Sequence, residues 1–288
     1  ISVTQRCNLN CFYCHREGCE YEGKEMPLDS IERAVQVAKE FGIKKIKITG
    51  GEPLIRKDIV DIVRVVAQDG LKDVSLTTNG TLLSELARDL ADAGLKRINV
   101  SLDTLRQDRY QKITGAQMLS LVIEGVDAAV AAGLHPVKLN MVLLRGVNED
   151  EVESMIEFTK SRKMVLQLIE LLWTPHTDAV YQKFHLDLLS IEKELQKRSE
   201  RTDVRKEMQA RRKYFIDGAE VEVVRPMHNS QFCAHCTRIR LTPGGYLKPC
   251  LLRSDNLVDI SMPLRSGNIE EVKSLFLKAV SLREPFFK

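Results

Sequence analysis

The cysteines are the residues of this 288-residue sequence whose spacing most directly indicates chemistry. Six of the seven fall into two triplets: Cys7, Cys11 and Cys14, and Cys233, Cys236 and Cys250. A structural zinc ion is usually bound by four protein ligands, so each triplet is one ligand short of a closed zinc site. Three cysteines can instead hold a [4Fe-4S] cluster and leave one iron without a protein ligand. Because that iron could bind an incoming molecule, the spacing favours two clusters that take part in binding.

Other residues near the triplets leave zinc open as an alternative. His15 or Cys19 could complete the first triplet, and His228 or His235 could complete the second. The first triplet, however, is followed after the next predicted strand by two glycines, residues 50 and 51, where a ligand can approach the backbone closely. A purely structural zinc site has no use for that arrangement. Cys19 is then interpreted as a free thiol, because the three cysteines before it already form a complete triplet.

Composition and charge limit the kinds of partner. Lys and Arg number 43 against 40 Asp and Glu, and this net charge of +3 is too small to indicate a nucleic-acid or membrane partner. No run of about 18 apolar residues is present to span a bilayer. Nothing at the N-terminus resembles a signal peptide, and the lack of an initial Met indicates that the numbering starts inside a longer chain. With an odd number of clustered cysteines, these features predict a cytoplasmic protein.

Short β-branched segments alternate with amphipathic helices as far as residue 172, and these are the elements that must position the motifs. Strands are predicted at residues 1–4, 45–49, 74–77, 98–102, 137–144 and 165–171. Strand–helix alternation with short connections gives right-handed parallel βαβ units, so we expect an α/β fold with a partial (β/α)6 barrel. The first triplet and the motifs GGEP, TTNG and SLD each follow a strand. Because the carboxyl ends of parallel strands form the ligand-binding face, these groups should meet at one mouth.

A smaller unit is predicted after residue 174. It contains a charged helix, "DLLSIEKELQKRSE", a β-hairpin that turns at Asp217 and Gly218, the second triplet and a final helix at about residues 268–282. No low-complexity linker separates this unit from the rest of the chain. We therefore predict that residues 1–174 form the barrel and that residues 175–288 form a C-terminal region, which packs on the barrel mouth and carries the second cluster.

Two motifs in the same order resemble the radical S-adenosylmethionine (SAM) superfamily. They are the first cysteine triplet, with Tyr13 just before its last cysteine, and GGEP after the next strand. The second triplet, followed by "RIR", narrows the resemblance to the GTP 3′,8-cyclases of molybdenum cofactor biosynthesis, the MoaA type. The resemblance extends from Ile1 to beyond Cys250.

The resemblance implies a role for the first triplet. Its [4Fe-4S] cluster would bind SAM through the open iron and cleave it to a 5′-deoxyadenosyl radical. By similarity, the contacts to SAM fall on four residues: Tyr13, Gly51, Ser101 and Leu172. The contacts of Tyr13 and Leu172 would be made through backbone atoms.

The second triplet would hold a second [4Fe-4S] cluster that binds the purine of GTP. Five residues are expected to bind this substrate: Lys47, Thr77, Lys138, Arg238 and Arg240. The radical would remove hydrogen from C3′ of the ribose, and the carbon radical would attack C8 to give (8S)-3′,8-cyclo-7,8-dihydro-GTP. An ordinary acid or base could not remove this unactivated hydrogen, so no side chain is assigned as a catalytic acid or base.

The family context also implies partners and shows departures. An electron donor would supply the cluster, cyclic pyranopterin monophosphate synthase would use the product, and a homodimer is left open. The family usually has an arginine just before the position numbered Ile1, an arginine at the position of Gln167, and a C-terminal Gly-Gly tail. This sequence shows none of the three. These differences concern how the substrate is held and do not affect the six cysteines.

Two alternatives stand beside the cyclase. One is another radical SAM enzyme with an auxiliary cluster, such as a peptide-modifying enzyme, for which GTP would not stimulate SAM cleavage. The other is a zinc-stabilised nucleic-acid-binding module that uses basic segments such as "ARRKYF". It predicts zinc in place of iron and a steep salt dependence of binding.

Overall fold

One large sheet dominates the fold in a computed structural model that describes residues 1–18, 23–68, 70–205 and 209–287. Its eight strands within these residues lie in the order β1-β2-β3-β4-β5-β8-β7-β6. Their bounds are β1 Lys45–Ile48, β2 Asp73–Thr78, β3 Arg97–Ser101, β4 Val137–Leu143, β5 Val165–Glu170, β6 Arg201–Arg205, β7 Arg211–Ile216 and β8 Ala219–Val224. The strands from β1 to β5 and then β8 are parallel, whereas β6 and β7 are antiparallel.

Six consecutive parallel strands confirm the predicted α/β partial barrel, but one strand differs from the prediction. Residues 1–4 form only an isolated bridge between Ser2 and Thr49. The Val3 N–H donates to Thr49 O (2.9 Å), whereas the Ser2 N–H donates to Leu241 O (2.8 Å). Because its donors are divided between two neighbours, this segment has no continuous ladder. The sixth full strand is β8, which comes from the C-terminal region and pairs with β5.

Helices cover the outer face of the sheet. Those between residues 28 and 161 are α1 Leu28–Glu40, α2 Ile59–Val66, α3 Leu83–Asp92, α4 Gln107–Thr114, α5 Leu119–Ala131 and α6 Val152–Ser161. In α1 the buried residues Ile31, Ala34, Val35 and Ala38 lie on one stripe, as expected for an amphipathic helix. The N-cap of α1 is Pro27, and no side chain caps the helix.

The C-terminal region contacts both edges of the sheet. Its elements are α7 Asp178–Phe184, α8 Leu189–Arg198, β6 to β8, α9 Ser230–Ala234, the small sheet of β9 Arg240–Leu241, β10 Tyr246–Lys248 and β11 Val258–Asp259, and the helices α10 Ser261–Ser266 and α11 Ile269–Ser281. On one side β8 extends the sheet from β5. On the other side Phe276 of α11 stacks on Phe41 after α1, with ring centroids 5.0 Å apart, and Lys273 pairs with Glu40 at 2.8 Å. Residues beyond 174 thus complete the sheet. The division of the chain into residues 1–174 and 175–288 stays a prediction.

Two further features concern the hairpin and the helices. The predicted turn is confirmed: Asp217 and Gly218 both have positive φ (48° and 83°), as a type I′ turn requires. Among the described helices, none on its own has the length and apolar character needed to cross a bilayer. The pair α4 and α5 meets that criterion only together, across a 98° bend.

Candidate functional site

The first cysteine triplet lies on a loop anchored to the end of α4. Backbone N–H groups of Asn10 and Phe12 donate to Thr114 O (3.0 Å) and Ile113 O (3.1 Å). Within the loop the Cys14 N–H donates to Cys11 O at 3.0 Å. Burial raises the pKa of Cys11, and Asp103, Cys14 and Cys7 add to the shift. The three thiols are therefore neighbours, as the spacing predicted, whereas Cys19 lies outside the described residues.

Glu52 of GGEP ties the loop after β1 to the loop after β2. Its carboxylate is fully buried. It accepts from the Thr78 hydroxyl (2.7 Å) and from the backbone N–H of Asn79 (2.6 Å) and of Leu54 (2.9 Å). Asn79 in turn donates to Asn8 Oδ1 at 2.8 Å, and its amide nitrogen lies 3.9 Å from Cys7 Sγ. Glu52 and Asn79 position the triplet, a role that the sequence had not assigned to either residue.

Gly51 lies directly against the chain that leads into the triplet. Its N–H donates to Thr4 O at 2.8 Å. A Cβ at this position would stand 2.3 Å from Arg6 O and 2.6 Å from Gln5 O. Only glycine fits here, because the backbone of residues 5 and 6 fills the space that a Cβ would take, and the predicted contact of Gly51 with SAM stays a prediction.

Three of the groups predicted at the mouth share one pocket beside the first triplet. Cys11, Tyr13 and Ser101 line it, together with Asn79 and Asp103. The Tyr13 hydroxyl donates to Asp103 Oδ2 at 2.6 Å. Burial raises the pKa of Asp103 to about 6, although this bond and one from the Val142 N–H oppose the shift. The Tyr13 side chain is therefore engaged with the protein, which leaves its backbone for a ligand.

Leu172 lies two residues after β5 and is half buried. It stands at the carboxyl end of its strand, as Ser101 does at the end of β3. Both predicted SAM-binding residues are thus at the predicted edge of the sheet.

The second triplet is built by α9 and the turn after β10. Cys233 lies in α9, and the Cys236 N–H donates to Cys233 O at 3.1 Å. Cys250 follows β10 by two residues. The Gln209 amide donates to Cys236 Sγ at 3.7 Å, and the Arg283 guanidinium donates to Cys236 O. All three cysteines are half buried.

A polar face lines the inside of the sheet. In the strand register Lys47 lies opposite Ser75, Thr77 opposite Asn99, and Asn99 opposite Lys138. Farther along, Asn140 lies opposite Gln167 and Gln167 opposite Glu222. Since paired residues share a face, one side of the sheet carries these polar groups and the other carries the apolar core. Polar groups at buried strand positions need partners, which come from one another or from a ligand.

The predicted substrate-binding cations meet at this face. Burial lowers the pKa of Lys47 well below its usual range, and Arg238, Arg211, Arg97 and Lys138 act in the same direction. Burial likewise lowers the pKa of Arg238 to about 9, and the positive charges of Arg211 and Arg240 contribute smaller shifts in the same direction. Because such effects require short distances, Lys47, Lys138, Arg238 and Arg240 lie close together. Thr77 lies on the same face of the sheet. Arg211 belongs to this group as well, although the sequence drew attention to it only as part of a basic segment.

The cationic face borders both triplets. Arg238 is two residues from Cys236, and the Cys236 thiol influences its pKa. On the other side, burial lowers the pKa of His15, which is next to Cys14. The Glu17 carboxylate acts to raise this pKa, whereas Arg240 and Lys248 act to lower it. Arg240 therefore lies near the loop of the first triplet, and Arg238 near the second.

Glu222 is the buried carboxylate that these cations share. Its side chain is fully buried and pairs with Lys138 (2.6 Å), Arg205 (3.1 Å) and Arg211 (3.5 Å). Burial acts to raise its pKa, but the three cations outweigh burial and lower it to about 2. The predicted ligand Lys138 is thus held by an ion pair, and neither Lys47 nor Arg238 forms an ion pair within the described residues.

Replacing Glu222 by glutamine should destabilise the protein, because it leaves the buried cations Lys138 and Arg211, and the partly exposed Arg205, without their carboxylate. Breaking a buried pair costs roughly 3–5 kcal/mol, which corresponds to a fall of about 10 °C in the melting midpoint at pH 7. Since the folded pKa is about 2 against an ordinary 4.5, the contribution of Glu222 is fully present at pH 7 and is lost as pH falls from 4.5 towards 2.

Anaerobic calorimetry would measure the midpoint. Glu220→Gln is the matched control, since Glu220 lies two residues earlier on β8 and pairs with Lys213 alone. Equal midpoints for the two variants would contradict the role given to Glu222.

The described residues form no preformed site for a single metal ion. Across the described ranges, no three His, Cys, Asp or Glu side chains converge on one metal-ion position. In a [4Fe-4S] cluster each cysteine binds a different iron, so the three sulfurs need not lie within reach of one metal position. His235 Nδ1 lies 2.9 Å from Gln231 O, and the His228 ring packs 5.1 Å from the ring of Phe287. One ring nitrogen of His235 and the ring of His228 thus already have contacts within the protein.

Two family models cover almost the whole chain. Residues 1–159 match the model described as Radical SAM superfamily, and residues 164–288 match Molybdenum Cofactor Synthesis C. The chain is 52% identical over 289 residues to the "Probable GTP 3′,8-cyclase" of Methanothermobacter marburgensis, covering 100% of this chain and 95% of the relative. It is 48% identical to the protein of that name in Methanococcus vannielii, with the same coverage.

A solved structure supports the fold. The chain resembles Streptococcus suis SuiB with a TM-score of 0.64 at 18% identity, over 86% of this chain and 59% of SuiB. SuiB has also been solved with S-adenosylmethionine bound.

Proposed function

Given that this chain belongs to the GTP 3′,8-cyclases of the radical SAM superfamily, we propose that it converts GTP to (8S)-3′,8-cyclo-7,8-dihydroguanosine 5′-triphosphate, the first step of molybdenum cofactor biosynthesis. The observation that carries the proposal is the cationic inner face of the sheet, which borders a cysteine triplet at each side. A near-neutral protein gathers Lys47, Lys138, Arg238 and Arg240 in one region, as binding of a polyanion requires.

The first triplet would hold a [4Fe-4S] cluster with SAM on its open iron. Together they supply a radical strong enough to remove an unactivated ribose hydrogen. Cys7, Cys11 and Cys14 provide the ligands, and Asn79 and Glu52 hold their loop. Tyr13, Gly51, Ser101 and Leu172 form the SAM site at the carboxyl ends of the strands. Gly51 keeps the backbone free of a side chain, and the Tyr13–Asp103 bond fixes one wall of the pocket.

The second triplet would hold a second [4Fe-4S] cluster that binds the purine of GTP. Cys233, Cys236 and Cys250 provide its ligands, and the Gln209 amide donates to one of the sulfurs. Hydrogen bonds to the sulfurs of a cluster tune the reduction potential of that cluster. A purine held at this side of the cavity would place its ribose towards the SAM site and its phosphates against the cationic face.

The cations of the inner face would bind the triphosphate. Lys47 and Arg238 form no ion pair among the described residues, so their charge is available to an anion. Each charge-assisted hydrogen bond to phosphate contributes about 1.5–3 kcal/mol. Thr77, on the same face, can donate its hydroxyl to a phosphate or ribose oxygen. Closure of the cavity between barrel and C-terminal region would exclude water from the reacting carbon.

The wider setting follows from the same proposal. Residues 1–174 form the radical SAM barrel, and residues 175–288 form the substrate and auxiliary-cluster region. An external electron donor reduces the protein, and cyclic pyranopterin monophosphate synthase receives the product. Clustered cysteines that ligate iron–sulfur clusters suit the reducing cytoplasm.

Anaerobic reconstitution with iron and sulfide tests the function. The reconstituted protein is incubated with SAM, a reductant and either GTP or ATP, and 5′-deoxyadenosine and the cyclised nucleotide are measured. We expect 5′-deoxyadenosine with GTP and little with ATP. SAM cleavage that ignores GTP would favour another substrate, such as a peptide. One zinc per triplet and no iron would overturn the proposal.

A further inference from the structure

Arg211 is a buried cation without a full set of partners. Its side chain is only 8% exposed, although it stands at the start of strand β7. Nη2 donates to Gln209 Oε1 at 2.6 Å, and Nη1 lies 3.5 Å from Glu222 Oε1. The Nε–H has no hydrogen-bond partner among the residues that the structure describes. A buried guanidinium with an unused donor is costly unless another acceptor completes its bonding.

The charges around Arg211 indicate an anion as that acceptor. Glu222 is shared with Lys138 and Arg205, so three cations face one carboxylate and two positive charges are in excess. Lys47 and Arg238 add further charge, since each has its pKa lowered by Arg211. This part of the inner face therefore attracts a polyanion rather than a neutral ligand.

The local backbone holds Arg211 in place. Gln209 and Ala210, just before it, both have positive φ (64° and 53°), a strained conformation for residues with a side chain. Such strain is concentrated at ligand-binding sites, where the surrounding structure maintains it. Because Gln209 contacts both Cys236 Sγ and Arg211, the guanidinium lies between the second triplet and Glu222.

Gln167 is a neutral residue on the same face of the sheet. It is buried and lies opposite Glu222 in the register of β5 and β8. An amide there can accept or donate hydrogen bonds but brings no charge to the inner face. Arg211 shares this face, because Lys213 lies opposite Glu222 and strand residues two apart point to the same side.

We propose that Arg211, held by Gln209 and Glu222, binds the phosphate groups of GTP and supplies the positive charge that Gln167 cannot. This inference rests on the proposed function. The planar guanidinium can bind phosphate oxygens with two parallel hydrogen bonds, which a lysine at the same position could not do. A phosphate oxygen of GTP would accept a hydrogen bond from the unused Nε–H of Arg211. The guanidinium would at the same time keep its ion pair with Glu222.

Equilibrium binding to the anaerobically reconstituted protein, without reductant, tests this assignment. We expect Arg211→Met to weaken GTP binding by about 10- to 100-fold and to change guanosine binding less than about twofold. Arg211→Lys should recover only part of the loss, because lysine restores the positive charge but not the planar guanidinium that binds two phosphate oxygens at once. Folding should survive in both variants, since Glu222 keeps Lys138 and Arg205, and iron content checks this.

Arg212→Met is the matched control, since Arg212 is the next residue of β7 and is exposed on the opposite face. It should bind GTP like the wild type. Equal GTP affinities for the variants at 211 and 212 would overturn the inference while leaving the proposed function intact. An equal loss for guanosine would also overturn it, because Arg211 would then bind the nucleoside. A wild type that binds no GTP would overturn both proposals.

Discussion

Replacing Cys250 by alanine is expected to abolish conversion of GTP while the protein still cleaves SAM, whereas Cys11→Ala should abolish both reactions. The two cysteines belong to triplets on opposite sides of the cationic face, one beside Tyr13 and Ser101 and one beside Gln209 and Arg238. Loss of Cys11 removes a ligand from the site that generates the radical. Loss of Cys250 removes a ligand from the site that holds the purine.

The expected effects are large. Product formation should fall by at least about three orders of magnitude in each variant, equivalent to about 4 kcal/mol of barrier. Measurements of 5′-deoxyadenosine and cyclised nucleotide on anaerobically reconstituted protein separate the two losses. Iron analysis should show about half of the wild-type content in each variant, because one triplet remains complete.

Cys19→Ala is the control for loss of a thiol, since the sequence assigns that residue to neither triplet. It should retain the wild-type iron content and both activities. If Cys250→Ala made the cyclised product at the wild-type rate, the second triplet could not be the substrate site. If Cys19→Ala lost iron, the ligand set of the first triplet would have to be revised.

Gly51→Ala is expected to reduce SAM cleavage by about 100-fold or more. An added Cβ would stand 2.3 Å from Arg6 O and 2.6 Å from Gln5 O, and both atoms belong to the backbone that leads into Cys7. Backbone atoms cannot rotate away as a side chain can, so the triplet loop or the loop after β1 must shift. A displacement of about 1 Å at a reacting centre can cost about 10²-fold in rate.

Gly42→Ala is the control for this substitution. Gly42 follows α1 with φ +75°, and a Cβ there would meet no atom within 4 Å. That variant should lose some stability through its strained backbone but keep its SAM affinity and cleavage rate. Wild-type SAM cleavage by Gly51→Ala would contradict the close approach between residue 51 and the triplet loop.

Much of the candidate site could be predicted because its ligands are local in sequence. The spacing of Cys7, Cys11 and Cys14 places three thiols on one loop whatever the rest of the chain does. The motifs after β1, β2 and β3 could be assigned to one edge because parallel strands share a direction. Gly51 and Ser101 belong to these motifs, and the structure places both at that edge, whereas their contacts with SAM are implied by the family resemblance.

Contacts between distant segments could not be predicted in the same way. Residues 1–4 are β-branched like a strand, yet they make only one bridge, and β8 takes the sixth parallel position. Strand order depends on which segments pair across long loops, and β-branched composition alone does not specify the partner. The roles of Glu52 and Asn79 were missed for the same reason, since each acts on a residue far away in sequence.

The residue types and their spacing therefore determined the two thiol triplets, the α/β class and the mouth at which the motifs meet, because these depend on local geometry and on the alternation of strands and helices. The tertiary structure decided which cations share a carboxylate and which are left to bind a ligand. In the sequence neither Lys138 nor Arg211 shows a link to Glu222, and only folding brings them from β4 and β7 to that carboxylate on β8. Charge pairing at buried positions is set by distance in space, which a linear pattern does not encode.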